Sequence, residues 1–300
     1  MFLKKVCIFL AASFLAVDIF LLFIYFHADK NLNTLSDKML ESAVEYYDAI
    51  GISVEKSVIA KRVPDNKIYT FVNDNSSVGL KAADNLAQSL ILSKANVNMV
   101  ETPRGMTYTI TDKNENAASL RIDTDSFSFE FAHSDFSSDI SGIPVDPFSN
   151  ALNDIDDDVR KTIDKFLSAL YGQNSPHFDI KGSYSVGIRN TVCVEFLIDD
   201  SCPVEGMYAN MVVENGKLVY ARGNIIIAEI SKSYSEELYD GVNALAKIDS
   251  ELVSEFISEK IVYSQRYAGN GTYYLIPLWK IEYIDVNQKR QIQYVDAIKG

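Results

Sequence analysis

The sequence contains few of the residues that carry out most enzyme chemistry. Its 300 residues include three histidines, three cysteines and one tryptophan. The histidines, His27, His133 and His177, are far apart, and none lies at the spacing of an HExxH or other paired-ligand motif. Glycine patterns of the P-loop, Rossmann and G-x-S-x-G types do not occur. The sequence therefore predicts a protein that is not an enzyme and that uses no metal, cofactor or small-molecule substrate.

Cysteine is too scarce to form a disulfide framework. Cys7 lies in an apolar run near the N-terminus, whereas Cys193 and Cys202 flank a predicted hairpin turn. A turn centred at residues 199–200 would place Cys193 opposite the region of Met207. This register disfavours a bridge between Cys193 and Cys202, but it leaves the bridge open for a chain in an oxidising compartment.

Basic residues are outnumbered by acidic ones, 28 to 41, which gives a net charge of −13. Because nucleic acids and anionic headgroups repel such a chain, the charge argues against a nucleic-acid partner and against adhesion to an anionic lipid surface. Acids also cluster before a predicted helix, at Asp154, Asp156, Asp157 and Asp158. The glycine and terminal glutamate of a calcium-binding EF-hand loop are missing there, so helix capping is the favoured interpretation.

One long apolar run is present, Val6–Phe26, which holds 21 residues and a single charge. At about 1.5 Å per residue it would span roughly 30 Å as a helix, the thickness of a bilayer's hydrocarbon core. The run is longer than the apolar region of a signal peptide and ends in bulky residues, which favours a retained transmembrane anchor over a cleaved signal. Lys4 and Lys5 predict that residues 1–5 form a cytoplasmic tail. We therefore expect a single-pass membrane protein whose residues from about 28 onward are extracytoplasmic.

Asp18 is the one charged residue of the predicted span. An ionised carboxylate near the bilayer centre costs about 2.5–3.5 kcal/mol on insertion scales. At coiled-coil spacing Asp18 shares a seam with five other residues, which predicts a face that packs against another membrane helix. The seam consists of Ile8, Ala11, Leu15, Asp18, Leu22 and Tyr25. The alternative is a tolerated polar residue in a plain anchor.

The long remainder of the chain has the mixed polarity of globular α+β domains. We expect two similar extracytoplasmic units, at residues 32–145 and 146–300, each with helices packed on an antiparallel sheet. Helices are predicted from Ser36 or Thr34 to Gly51 and over Val78–Lys94, Ile155–Tyr171 and Glu236–Ile248. Strands are predicted over Ile68–Val72, Asn96–Glu101, Met106–Thr111, Ala118–Asp123, Phe127–Ala132, Phe178–Val186, Thr191–Ile198, Met207–Glu214, Lys217–Ile227, Lys260–Tyr267, Thr272–Ile284 and Gln291–Ile298.

Trp279 alternates with Leu275, Pro277 and Ile281 along one of these predicted strands. Residues at this spacing lie on one face of a strand. Because an aromatic side chain on such a face usually packs in a core, we expect Trp279 to be buried and not to bind a ligand.

Two stretches of the chain resemble a known family. The first joins LAVDIFLL in the span to NLNTLSDKMLESAVEYYDAIGISV after it. The second is the C-terminal stretch YYLIPLWKIEYIDVNQKRQIQYVDAIKG, whose motif residues are Pro277, Trp279, Tyr294, Ala297 and Gly300. Together they resemble the YycH/YycI-type regulatory proteins of Gram-positive bacteria. The terminal motif is also similar to PepSY-like domains.

The resemblance implies regulation by contact. It implies a membrane-anchored accessory of a WalK-type cell-wall sensor histidine kinase, acting through its transmembrane helix and ectodomain, with a sister YycH-type regulator as a second partner. It implies a YycI/PepSY-like α+β fold and no catalytic or cofactor-binding residues. One alternative is an anchored PepSY-like module that binds or inhibits an extracellular protease or a wall peptide. Another is a wall-degrading enzyme with a distant carboxylate pair.

Overall fold

Local sequence signals account for most of the helices and strands in the computed structural model of this chain. It describes residues 34–63, 67–72, 75–90, 96–103, 105–111, 117–123, 128–134, 136, 155–171, 177–198, 202–224 and 230–299. The helices are α1 (Asp37–Ala49), α2 (Asn75–Leu90), α3 (Asp157–Tyr171) and α4 (Gly241–Leu245). The strands are β1 (Ser53–Val54), β2 (Lys67–Val72), β3 (Asn96–Thr102), β4 (Gly105–Thr111), β5 (Ala117–Asp123), β6 (Ser128–His133), β7 (His177–Val186), β8 (Arg189–Ile198), β9 (Cys202–Glu214), β10 (Lys217–Asn224), β11 (Ile230–Ser235), β12 (Val253–Gly269), β13 (Thr272–Asp285) and β14 (Arg290–Asp296).

The described residues divide by their contacts into two units that interleave along the sequence. The first unit takes its residues from 34–63, 235–261 and 278–299. The second takes its residues from 67–234 and 262–277. The division predicted between residues 145 and 146 falls outside the described residues and stays a prediction, but the contact units do not follow a sequential split.

The second unit is built on a mixed sheet. The strands β3 to β6 follow one another as antiparallel neighbours, and β6 then pairs with β10, Phe131 lying opposite Ala221. Strand β9 pairs with β8 and β10 antiparallel and meets β12 in parallel at Tyr263 and Val204. The strands that we predicted in two separate sheets therefore form one sheet, which corrects the finer prediction of two similar units.

Helix α3 covers part of this sheet with a fully buried phenylalanine. The ring of Phe166 lies 5.2 Å from that of Phe131 and 6.3 Å from that of Phe129, measured between centroids. Burying one such side chain is worth about 1.5–3 kcal/mol. Close packing also fixes Gly223 on β10, since a Cβ atom there would lie 2.2 Å from the backbone oxygen of Tyr208.

The first unit is smaller and contains α1, α4, β1, β14 and the adjoining parts of β12 and β13. Strand β1 pairs with β12 in parallel. Strand β14 pairs with β13 in antiparallel orientation, with Arg290 opposite Ile284 at one end and Asp296 opposite Leu278 at the other. Trp279 and Ile281 of β13 lie in its core with no exposed surface. The prediction that Trp279 is buried is therefore confirmed.

The α+β class is confirmed, and one predicted helix is wrong at its start. We predicted a helix over Glu236–Ile248, whereas the helix here is Gly241–Leu245. The preceding segment is extended because it pairs with the C-terminus: Leu238 bridges Ile298, and Tyr239 N donates to the carbonyl oxygen of Ala297. Such a long-range partner overrides local helical periodicity.

The two cysteines in the described residues, Cys193 and Cys202, are both buried, and neither forms a disulfide bond. Cys193 lies opposite Asn210 and Cys202 lies opposite Ile198 on the β8–β9 pair. The register therefore keeps them apart along the hairpin, and the bridge that the sequence left open does not form.

Within the described parts of the chain, no helix is long and apolar enough to span a bilayer. The predicted span Val6–Phe26 lies outside those parts.

Candidate functional site: a groove between two helices

Helix α1 divides its side chains between a core face and an open face. Its N-cap is Ser36, whose hydroxyl oxygen accepts a hydrogen bond from Met39 N at 3.2 Å, as the sequence predicted. Leu40, Ala43 and Tyr47 recur at three and four residues and are buried. Met39 and Tyr46, which lie two turns apart on the same helix, remain 52% and 60% exposed.

The open face of α1 forms one wall of a groove in the first unit, and α4 forms the other. We call it the helical groove. It is lined by Ser36, Lys38, Met39, Ser42, Ala43, Tyr46, Tyr47, Val242 and Ala246 and has a volume of about 460 Å³. Most of the lining is apolar, Ser36, Ser42, Tyr46 and Tyr47 contribute residues with hydroxyl groups, and Lys38 is the one charged residue among the described residues that line it. A groove of this kind suits an apolar helix or peptide segment laid along it.

The wall formed by α4 is held by capping and by a close approach. Asp240 is the N-cap, and its Oδ1 accepts from Asn243 N at 2.9 Å. Gly241 opens the helix beside the carboxyl group of Glu259, because a Cβ atom at this position would lie 2.5 Å from Glu259 Oε2. Only glycine fits there without displacing the carboxyl group or the helix.

Glu259 carries a buried carboxyl group beside the start of α4. Its residue surface is 8% exposed, and Oε2 accepts one hydrogen bond, from Ala60 N at 2.9 Å. Oε1 is buried with no hydrogen-bond partner among the described residues. Burial raises the pKa of Glu259 to about 8, the Ala60 N–H opposes this shift, and the negative charge of Asp240 adds to it. Glu259 therefore binds a proton at neutral pH in the folded protein.

Tyr47 couples Glu259 electrostatically to the lining of the groove. Its ring lines the groove and packs edge-on against Phe256, with centroids 5.3 Å apart. Burial raises the pKa of the Tyr47 phenol to about 12, and the charge of Glu259 contributes to that rise. The same electrostatic coupling means that a change at Glu259 is felt by a side chain of the groove itself.

The predicted site residues fall in different places. The transmembrane seam, Ile8, Ala11, Leu15, Asp18, Leu22 and Tyr25, lies outside the described residues, as does Gly300. Of the C-terminal motif, Pro277, Trp279 and Ala297 are buried, while Tyr294 lies at the surface of β14 with Lys280 Nζ 5.7 Å from its ring centroid. The motif positions described in the first unit therefore serve packing and strand pairing, and they do not line the helical groove.

The acidic cluster before α3 contributes to the helix start. Asp156 Oδ1 accepts from Asp158 N at 3.1 Å, and the carbonyl oxygen of Asp156 accepts from Val159 N and Arg160 N. Asp157 and Asp158 occupy the first turn, where carboxylates offset the helix dipole. The predicted role in capping is confirmed for Asp156.

Sequence reasoning missed Glu259 and the α4 wall of the groove. The sequence did contain a signal for Glu259. Glu259 lies two and four residues before the buried Ile261 and Tyr263, so all three side chains point to the same face of the strand. A charged residue at an inward position of an apolar strand is a candidate for a perturbed pKa. No sequence pattern indicated the wall at Val242 and Ala246, because this wall depends on where α4 packs, and α4 is shorter than the predicted helix.

No protein-family model and no curated protein matches the chain. Matching solved structures include an uncharacterized protein from Eubacterium rectale ATCC 33656, with 13% identity, a TM-score of 0.44, and coverage of 83% of this chain and 88% of that one. They also include the Bacillus megaterium YpeB C-terminal domain, with 10% identity, a TM-score of 0.35, and coverage of 76% of this chain and 94% of that domain. Neither likeness bears on function.

Proposed function

We propose that this protein is a non-enzymatic, membrane-anchored regulator that contacts and modulates a cell-wall sensor histidine kinase. Contact occurs at two places in this proposal: the predicted membrane helix with Asp18, and the helical groove of the first unit. A sister regulator of the YycH type is a further partner. The sequence resemblance suggests this class of function, and the groove supplies a surface through which an ectodomain without its own chemistry acts.

The observation that carries the proposal is the position of the groove in the chain. Residues 27–36 connect the predicted span to α1, and ten residues reach at most about 35 Å when fully extended. The apolar positions Met39 and Tyr46 follow within the next three turns. A partner held in the same membrane therefore has an extracytoplasmic segment within reach of the groove, and confinement to one membrane raises the effective concentration of that segment.

Co-purification tests the proposal directly. The full-length protein is crosslinked in intact cells, solubilised in detergent and captured, and the captured material is searched for a sensor histidine kinase. We expect the kinase in the crosslinked sample and much less of it when the captured chain begins at Asn31 and lacks the anchor. A capture without any sensor kinase, although known membrane complexes are recovered from the same sample, would contradict the proposal.

A second candidate is a PepSY-like binding module for an extracellular protease or wall peptide. The mostly apolar groove with its serine and tyrosine residues favours it, because such a groove accepts a peptide segment without help from a membrane. The two candidates differ in where the function resides. The soluble chain from Asn31 onward keeps full activity if the protein is a binding module, and it loses most of its activity if it is a kinase regulator.

A further inference from the structure

Glu259 lies where three elements of the first unit meet. Its carboxyl group is bonded to Ala60 N, lies against Gly241 at the start of α4, and acts electrostatically on Tyr47 of α1. Tyr47 lines the helical groove directly, and Gly241 precedes the groove residue Val242. The Glu259 carboxyl group thus lies beside the start of α4 and acts electrostatically on α1, the two helices that line the groove.

Among the described residues, no positively charged side chain acts on Glu259 to balance its charge. Asp240, at the start of α4, and Tyr47, on α1, are the titratable groups that act on it. In the described part of the chain no lysine or arginine pairs with Glu259: on the neighbouring segment Lys56 Nζ binds Glu41 and Lys61 Nζ binds Asp37, each at 3.0 Å. Ionisation of Glu259 is strongly disfavoured here, because the carboxylate would be buried, would lie near the carboxylate of Asp240 and, among the described residues, would accept a hydrogen bond only from Ala60 N.

We propose that the proton of Glu259 acts as a latch for the helical groove: with the proton bound the two helical walls stay in place, and loss of the proton loosens them. Ionisation favours any movement that brings water or another donor to Oε1 and Oε2. Because Glu259 lies against these two segments, such a movement separates the start of α4 from β12 or withdraws the segment at Ala60. Either movement alters the groove and weakens its hold on a partner, so binding is strongest when Glu259 is protonated. This last consequence rests on the function proposed above, whereas the latch itself does not.

Burial raises the pKa of Glu259 to about 8, so the latch operates in a mildly alkaline range. The ionised fraction rises about thirtyfold between about pH 6.5 and about pH 9 for such a pKa. Glutamine at position 259 keeps the shape of the neutral acid and cannot ionise. Glu255 offers a matched control, because it lies on the same strand and its side chain is exposed.

Hydrogen exchange of the full-length protein in detergent tests the latch. At about pH 9, after correction for the intrinsic exchange rate, we expect the amides of α4 and of Ala60 to exchange about tenfold faster than at about pH 6.5 in the unaltered protein and in Glu255→Gln. In Glu259→Gln the corrected rates should agree within about twofold at the two pH values. Unchanged protection of the unaltered protein, or a pH response that persists in Glu259→Gln, would overturn the latch.

A second variant keeps the test decisive if Glu259→Gln does not fold. Gly241→Ala introduces a Cβ atom 2.5 Å from Glu259 Oε2 and should loosen α4 at both pH values. Full protection of α4 in Gly241→Ala would contradict the close contact on which the latch depends. Kinase capture at the same two pH values separates the latch from the proposed function. Faster exchange at high pH with no kinase captured at either pH overturns the function and supports the latch, whereas equal capture at both pH values overturns the effect of the latch on binding.

Discussion

The indole nitrogen of Trp279 donates a hydrogen bond to the backbone carbonyl oxygen of Tyr239, 3.1 Å away. The bond joins β13 to the extended segment that precedes α4. That segment also pairs with the C-terminus, where Tyr239 N donates to the carbonyl oxygen of Ala297. Tyr239 is therefore fixed through both of its backbone groups, and the α4 wall of the helical groove begins two residues after it.

Replacing Trp279 by phenylalanine should destabilise the protein by about 2–3 kcal/mol. The substitution leaves a cavity in a fully buried site and removes the donor to Tyr239. Urea unfolding of the detergent-solubilised protein, followed by circular dichroism, measures the loss. Val286→Ala, at a 55% exposed position of the same unit, is the control and should change stability by less than about 0.5 kcal/mol. Equal effects of the two substitutions would mean that Trp279 does not support the core.

Glu259→Gln should flatten the dependence of stability on pH. In the unfolded chain the carboxyl group ionises near its ordinary pKa of 4.5, whereas burial raises the pKa in the folded protein to about 8. Between these values the unfolded chain releases a proton that the folded chain retains, so stability falls by about 1.4 kcal/mol per pH unit, or about 5 kcal/mol in all. The contribution of the protonated carboxyl group is complete below about pH 4.5 and is lost as the pH rises to about 8.

Fluorescence of Trp279 measures this effect in the first unit, since it is the only tryptophan of the chain. Urea midpoints at a series of pH values should decline for the unaltered protein and for Glu255→Gln, and much less for Glu259→Gln. The advantage of Glu259→Gln over the unaltered protein should vanish near about pH 4.5. Parallel declines for all three proteins would show that Glu259 does not carry the pH dependence.

Local periodicity was sufficient to predict most helices and strands but not their pairing. Strands β3 to β6 follow in close hairpin succession, and their alternating residues predicted them within a residue or two. By contrast, β2 pairs with β13, with Tyr69 opposite Leu275, although most of the chain lies between these residues. A period-two pattern shows which face of a strand is apolar and says nothing about which strand lies beside it.

The candidate site was predictable only in part, for the same reason. The α1 wall follows from the spacing of Leu40, Ala43 and Tyr47, which leaves Met39 and Tyr46 outside the core face. The buried Glu259 was unexpected because a charged side chain is ordinarily placed in water. Its burial depends on the packing of α4 and of the Ala60 segment, neither of which local sequence determines.

Lys181→Met should destabilise the second unit by about 3 kcal/mol, because it leaves Glu195 buried without a balancing charge. Lys181 Nζ lies 2.8 Å from Asp179 Oδ2, to which it donates a hydrogen bond. It lies 3.0 Å from Glu195 Oε2 without the alignment of a hydrogen bond, so that contact is electrostatic. Urea unfolding followed by circular dichroism measures the loss. Adding Glu195→Gln to Lys181→Met should restore about half of it, since the buried charge is then gone, and failure of the second substitution to restore stability would contradict this explanation.

Met39→Ser combined with Tyr46→Ser should weaken kinase capture while leaving the fold intact. Both side chains are more than half exposed, so their truncation should cost less than about 1 kcal/mol of folding stability. At an interface, loss of a methionine and a tyrosine anchor commonly costs about 2 kcal/mol or more, which is more than tenfold in affinity. Quantitative crosslinking in intact cells measures the capture. Ile188→Ser is the control, because Ile188 is an exposed apolar residue of the second unit. If capture falls equally with Ile188→Ser, the loss does not depend on the groove residues.

Asp18→Leu tests the membrane contact separately from the groove. On insertion scales, removing the carboxylate favours a spanning helix by about 2.5–3.5 kcal/mol, so the variant should be anchored at least as well as the unaltered protein. A hydrogen bond between membrane helices contributes about 1 kcal/mol, so its loss should lower kinase capture about fivefold. Asp18→Asn keeps a hydrogen-bonding side chain at the same position and should retain most of the capture. The contrast between the two variants decides the role of the seam. If the Asp18→Leu and Asp18→Asn proteins capture the kinase equally well, Asp18 is a tolerated residue of a plain anchor, and the groove alone carries the specific contact.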